Sequence, residues 1–145
     1  MTIQDIDARL IRFFQRIWIP LARFGIFIIF FWFGALKVVG LSPASGVVER
    51  LFNETVTFIA FPTFLVAFGV FECFIGILFL VRGAERVALP LLLLHMITTA
   101  GPLVLLPQET WSAFLVPTLE GQYIIKNLAI IAAAVGIAAN LEATV

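Results

Sequence analysis

The sequence predicts an all-α integral membrane protein: a bundle of four transmembrane helices preceded by an amphipathic interfacial helix. Hydrophobic residues make up 62% of the chain and charged residues 12%, with a mean hydropathy of +1.12. A soluble domain has roughly 45–50% apolar and about 25% charged residues. The apolar residues also form four runs, each close to the ~20 residues with which a helix crosses a bilayer. We therefore expect one domain, residues 1–145.

Residues 1–17 are predicted to form the interfacial helix. Apolar residues recur there at helical spacing, while arginines and aspartates occupy the other faces. This pattern is typical of a helix that lies on the membrane surface before the chain turns into the bilayer. The alternative is a cytosolic extension of the first span. A cleaved signal peptide is not expected, because Asp5 and Asp7 interrupt any basic leader region.

The four spans are predicted at residues 18–39, 58–81, 87–106 and 123–141. A short amphipathic run between the first two spans, residues 47–52, is expected to cover the mouth of the bundle. Gly25 and Gly34 in the first span and Gly69 and Gly76 in the second are expected to allow close helix packing. Residues 108–121 are expected to form a polar loop in which Trp111 anchors the chain at the interface.

The arginines indicate how the bundle is oriented. Five of them lie in the N-terminal segment and in the turn between the second and third spans, at residues 82–86. Positive charge favours the cytoplasmic side of a membrane. Both termini are therefore expected in the cytoplasm, with the protein in a bacterial cytoplasmic membrane.

Two ionisable residues stand in the middle of neighbouring spans, Glu72 in the second and His95 in the third. Glu72 lies 12 residues before Ala84 in the turn, and His95 lies 11 residues after it. Because an α-helix rises ~1.5 Å per residue, an antiparallel pair places the two residues at nearly one depth. A buried carboxylate either takes up a proton or pairs with a cation. We expect Glu72 to pair with Arg23 of the first span, unless Arg23 snorkels to the interface.

This arrangement leaves three interpretations open for the triad of Arg23, Glu72 and His95. In the first, the triad only ties three helices together. In the second, Glu72 and His95 are catalytic residues that relay protons or contact a cofactor, and His95 changes charge near neutral pH. The third interpretation, in which His95 binds haem or a metal, has little support from a single histidine without cysteine partners. No metal site is predicted.

A second polar group is expected at the end of the bundle opposite the turn at residues 82–86. Tyr123, Lys126 and Asn127 are spaced i, i+3, i+4 and share a helix face, and Lys37 closes the first span. One interpretation is that the lysines snorkel to the interface. The other is a small polar pocket in which these residues and Arg23 bind the headgroup of a quinone or another amphiphile.

The composition excludes several classes of function. Lysine plus arginine equals aspartate plus glutamate at nine each, so no net field favours a nucleic acid partner. The single cysteine, Cys73, excludes an internal disulfide and a Cys-x-x-Cys redox motif. No phosphate-binding loop and no Ser-His-Asp set occur in the sequence.

Several short motifs resemble the DoxX-like family of four-span bacterial membrane proteins. They are Arg23-x-Gly25, FWFGALK at residues 31–37, ECFIGIL at 72–78, Arg82-Gly83 and PTLEGQYIIKN at 117–127. The resemblance implies a four-helix bundle in the cytoplasmic membrane. It also implies kinship with a small subunit of a thiosulfate:quinone oxidoreductase and with proteins of oxidative-stress complexes or reactive-chlorine resistance. It transfers no catalytic residue.

Our first hypothesis is therefore a membrane subunit of a quinone-linked redox complex, with the lipid bilayer as its surroundings and a quinone as the candidate cofactor. The alternative is a non-catalytic scaffold that recruits a soluble partner through its arginine-rich end. A small-solute or ion carrier is a third possibility, and it requires a homo-oligomer to frame a pathway. Whether the protein is an enzyme stays open.

Overall fold

A computed structural model of the chain describes residues 3–56 and 58–141, and it is almost entirely helical. The elements in order are α1 (Ile3–Val38), α2 (Ser45–Thr55), α3 (Phe61–Leu80), α4 (Glu85–Ala100), α5 (Pro102–Leu105), α6 (Pro107–Thr110), β1 (Trp111–Ala113), β2 (Val116–Pro117) and α7 (Leu119–Ala138). Four stretches are long and apolar enough to cross a membrane, namely α1, α3, α7 and the segment Glu85–Leu105. The protein is an all-α, multi-pass membrane protein, as the sequence predicts.

The first helix is longer than a span. It runs without interruption from Ile3 to Val38, or ~54 Å, against a hydrocarbon core of ~30 Å. The predicted turn from an interfacial helix into the first span is therefore wrong, and the alternative of a helical extension is what the structure has. Pro20 lies inside the helix, where a transmembrane segment tolerates the hydrogen bond that proline removes. No glycine, proline, asparagine, aspartate or serine stands between Asp7 and Pro20 to end the helix.

The antiparallel pair α1 and α3 is the closest contact between long helices. A Cβ atom on Gly69 would lie 2.6 Å from the carbonyl oxygen of Gly34, and one on Gly34 would lie 2.5 Å from that of Gly69. A Cβ on Gly76 would meet the backbone nitrogen of Phe31 at 3.0 Å. Real Cβ atoms essentially never come within 3.0 Å of backbone atoms, so only glycine permits the contact of Gly34 with Gly69, and a Cβ on Gly76 would be unusually tight. The predicted packing role of Gly34, Gly69 and Gly76 is confirmed. For Gly25 the prediction is wrong, because a Cβ there meets nothing within 4 Å.

The core lies between α1, α3, α4 and α7. Phe30, Ile75, Phe79 and Leu92 are almost completely buried there, and Ala134 of α7 completes the cluster. Outward-facing side chains of the same helices remain exposed and apolar, as a bilayer requires. We name the two ends of the bundle by their connections. At the turn end, residues 81–84 join α3 to α4, and at the hairpin end, α5, α6 and the β1–β2 hairpin join α4 to α7.

The hairpin end is more ordered and more apolar than predicted. α2 covers it as expected, with Phe52 buried against the rings of Phe61 and Phe64 at centroid distances of 5.6 and 4.8 Å. The expected polar loop at residues 108–121 is instead a short helix and an antiparallel hairpin with apolar residues at its tip. Trp111 is bonded to the bundle, because its indole Nε1 donates to the carbonyl of Leu103 at 3.0 Å.

Candidate functional site

A buried ionic triad joins three helices midway along the second and third spans. Lys37 of α1 donates from Nζ to Glu72 Oε2 of α3 at 2.6 Å, and His95 Nε2 of α4 lies 2.9 Å from Glu72 Oε1. All three residues are buried, with 5–6% of their surface exposed. The predicted contact of Glu72 with His95 at a common depth is present. The cation of the triad, however, is Lys37.

Helix geometry explains why Lys37 reaches Glu72. The two helices touch at Gly34 and Gly69, and from that contact Lys37 and Glu72 are each three residues further along their own chains, in opposite directions. Side chains lean toward the N-terminus of their own helix. In an antiparallel pair both side chains therefore lean back toward the contact point and meet. The glycine contact and the ion pair thus depend on the same helix register.

Aromatic rings enclose His95. Phe68 stacks on the imidazole with ring centroids 5.0 Å apart and an interplanar angle of 14°, and Phe30 meets it edge-on at 5.1 Å. Lys37 Nζ also lies 5.7 Å from the centroid of Phe68. Phe68 and Glu72 are four residues apart and share a face of α3. The i, i+4 spacing was the signal in the sequence that could have identified Phe68 as part of the site.

The pairing with Lys37 sets the direction of the hydrogen bond at the imidazole. Paired with Lys37, an ionised Glu72 only accepts hydrogen bonds, so Nε2 of His95 carries the hydrogen and donates it. The other nitrogen, Nδ1, is buried without a hydrogen-bond partner among the described residues. The triad therefore orients one N–H bond of the imidazole toward the Glu72 carboxylate.

The prediction that Arg23 pairs with Glu72 is wrong. Arg23 forms an ion pair with Glu85, the first residue of α4, at the turn end of the bundle. Glu85 is 3% exposed. Sequence reasoning missed Glu85 because it treated residues 82–86 as a solvated turn. Its signal was its end of the bundle, since Glu85 opens the third span and Arg23 lies in the first half of the first span, both toward the arginine-rich end.

The second predicted polar group is only partly assembled. Tyr123 and Lys126 lie together on α7, with Lys126 Nζ 4.9 Å from the centroid of the tyrosine ring, and both are exposed. Neither Lys37 nor Arg23 joins them, because Lys37 is buried beside Glu72 and Arg23 pairs with Glu85 at the turn end. Asn127 lines a separate feature, a groove of ≈ 250 Å³ between the third and fourth spans. The other residues of the groove are apolar: Met96, Ala100, Leu103, Ile124, Ile125, Leu128 and Ile131.

The two features differ in what they offer a ligand. The groove is open at the lipid-facing surface, with one amide in an apolar wall, which suits an amphiphile. The triad is closed and its charged atoms are paired. Within residues 3–56 and 58–141, no three His, Cys, Asp or Glu side chains are grouped to hold a metal ion.

Comparisons with protein-family models, with curated proteins and with solved structures find no match to this chain. The resemblance to the DoxX-like family thus stays a prediction from the sequence motifs.

Proposed function

We propose that this protein is a membrane subunit of a redox complex and that the groove beside Asn127 binds the headgroup of a quinone or a similar amphiphile. The observation that carries the proposal is the groove itself, apolar apart from one amide and reachable from the bilayer. Its volume of ≈ 250 Å³ is just below the roughly 300–1,000 Å³ of sites that enclose a whole small molecule. It suits a single ring, with an isoprenoid tail remaining in the lipid.

The DoxX-like assignment is part of this proposal. Two of the motifs behind it pack directly against each other, since FWFGALK contributes Gly34 and Lys37 and ECFIGIL contributes Glu72 and Gly76. The motif residues thus form the buried ion pair and part of the tight contact between α1 and α3, in which Gly34 also meets Gly69 outside the motifs. This supports reading the motifs as one structural unit. It carries no information about substrate.

The proposed orientation in the membrane rests on the positions of the arginines. Arg9, Arg12 and Arg16 lie in the part of α1 that extends beyond a bilayer's thickness, and Arg82 lies at the turn end. These cations occupy one end of the bundle. The positive-inside bias places that end, with both termini, in the cytoplasm of a bacterial cell.

Co-purification tests the ligand. The protein is extracted in a mild detergent, and bound quinone is quantified by chromatography and absorbance. We expect a near-stoichiometric quinone in the wild type and a loss of about tenfold in Asn127→Leu, since a lost hydrogen bond in an apolar site costs about 1–2 kcal/mol. Gln122→Leu is the matched control, because Gln122 is an amide on the same helix outside the groove. Equal quinone in both variants would contradict the proposed site.

The proton role of Glu72 and His95 has its own test. His95 is the single histidine of the chain, so histidine labelled with ¹⁵N reports on this ring alone. If the ring handles protons, its nitrogen shifts change in vesicles between about pH 5 and 8. A ring that keeps one protonation state throughout that range does not relay protons.

A non-catalytic scaffold is the second candidate, and the closed packing of the triad favours it. Lys37 and His95 both bond to the carboxylate of Glu72 there, and Phe30 and Phe68 cover the imidazole. Absence of quinone after gentle extraction, together with an invariant histidine spectrum, supports this candidate over the redox subunit. The arginine-rich turn end would then be the surface for a soluble partner.

A further inference from the structure

The β1–β2 hairpin presents an exposed apolar tip. Phe114 is 92% exposed and Leu115 72%, and the next residue, Val116, is 52% exposed. Ala113 pairs with Val116, so Phe114 and Leu115 form a two-residue loop. Neither residue is used by the candidate site. Two large apolar side chains at the tip of a hairpin are unfavourable in water.

The backbone of the tip adds to this cost. Leu115 has a φ of +56°, the one positive φ outside glycine among the described residues. A tight hairpin loop of this kind usually has glycine, asparagine or aspartate at such a position. Leucine there is strained and also exposed. A residue that fails both local preferences indicates a requirement that comes from outside the hairpin.

The base of the hairpin is firmly held. The indole of Trp111 donates to Leu103, Thr118 Oγ1 donates to the carbonyl of Glu109 at 2.7 Å, and the backbone nitrogen of Thr118 donates to the carbonyl of Thr110 at 2.9 Å. A Cβ on Gly121 would collide with the carbonyl oxygen of Thr110, so α7 begins tightly against this base. The exposure of the tip is therefore imposed by the fold.

The apolar surface of the tip continues the lipid-facing surface of the spans. Val104 at the end of the third span is 80% exposed, and Leu119 at the start of the fourth is 61% exposed. The ten residues between Glu109 and Glu120 include no charged side chain. We propose that the hairpin is a membrane anchor, with Phe114 and Leu115 inserted into the lipid of the leaflet at the hairpin end.

A fluorescent label beside an intact tip tests the anchor. In a Cys73→Ala background, Ala113→Cys provides a single exposed site for a nitrobenzoxadiazole label, and the protein is reconstituted into phosphatidylcholine vesicles. Quenching by spin-labelled lipid is compared with quenching by iodide in the water. Two positions calibrate the scale: Ala129→Cys, exposed in the middle of α7, and Glu49→Cys, exposed on α2.

The expected result is that the label at residue 113 is quenched by lipid at least threefold more than the label at 49. A second variant, Phe114→Ser with Leu115→Gly, keeps a favourable turn but removes the apolar tip. With it, we expect lipid quenching at 113 to fall to the level at 49. Iodide quenching of the intact tip equal to that at 49 would overturn the proposal. So would equal lipid quenching for both tips, or shielding from both quenchers, which indicates a protein partner such as a second copy.

Discussion

Replacing Lys37 by methionine removes the cation from the buried triad and leaves the Glu72 carboxylate with only His95. Lys37 Nζ and Glu72 Oε2 are 2.6 Å apart, and both side chains are 7% exposed. With an effective dielectric constant of about 20, the attraction at this distance is about 6 kcal/mol. Removing one member of a buried pair costs about 3–5 kcal/mol in practice. Because His95 still donates to Glu72, we expect Lys37→Met to lower the free energy of unfolding by about 3 kcal/mol.

A double-mutant cycle isolates the pair from the packing around it. Glu72→Gln alone leaves a buried ammonium, and we expect it to cost about 3 kcal/mol, the low end of that range, because the amide oxygen of glutamine can still accept from Lys37. In the double variant, Lys37→Met with Glu72→Gln, no unpaired charge remains, and the loss should be about 1 kcal/mol. The coupling energy between the two positions is then well above the roughly 0.5 kcal/mol found for independent sites. Equilibrium unfolding in mixed detergent micelles, followed by tryptophan fluorescence, measures all four proteins.

Lys126→Met is the matched control, because it removes a lysine whose ammonium is exposed above a tyrosine ring. Its expected cost is below about 1 kcal/mol. The reasoning is refuted if the two single variants add up to the double variant within error. It is equally refuted if Lys37→Met costs no more than Lys126→Met, since the ammonium would then not be paired in the bundle.

Four further variants test the helix contacts, with melting temperature in detergent as the measurement. Gly69→Ala should lower the free energy of unfolding by about 2–3 kcal/mol, because its Cβ would meet backbone of α1. Gly25→Ala is the control. A Cβ on Gly25 meets nothing within 4 Å, so this variant should change the free energy of unfolding by less than about 0.5 kcal/mol. Equal effects would show that α1 and α3 are not in close contact. Arg23→Met leaves the buried carboxylate of Glu85 without its cation and should lower the free energy of unfolding by about 3 kcal/mol. Arg50→Gln breaks an ion pair that is half exposed and should cost under about 1 kcal/mol, so a larger loss there would contradict the ranking by burial.

The sequence predicts the fold well because the bilayer leaves few choices. Long apolar runs can only be helices in lipid, since every backbone polar group needs an internal partner. Gly69 and Gly76 are seven residues apart and therefore lie on one face of the helix, which identified the packing face of the second span. The N-terminal boundary was harder. An amphipathic segment is compatible both with lying on a surface and with continuing a helix, and nothing local at Trp18 or Pro20 separates the two.

The common depth of Glu72 and His95 could be predicted from the sequence, but the ion-pair partners of Arg23 and Lys37 could not. Counting residues from the turn placed Glu72 beside His95, because both lie on helices joined by that turn. Arg23 and Lys37 lie on a helix joined to α3 by a long connection, so residue counting gave no depth for either. Their partners depend on the lean of side chains and on the contact at Gly34. The register between α1 and α3 is set by how the two helices pack, and the pattern of apolar residues along the chain does not encode it.

α4 separates the two features on which the functional proposals rest. His95 points to the triad, while Met96, the next residue, lines the groove, because successive residues of an α-helix point about 100° apart. A ligand in the groove therefore does not touch the imidazole, and it can affect the triad only by displacing α4. That helix is held at two levels, by His95 to Glu72 and by Glu85 to Arg23. A redox role thus requires α4 to transmit the state of the ligand, whereas a scaffold requires it only to stay in place.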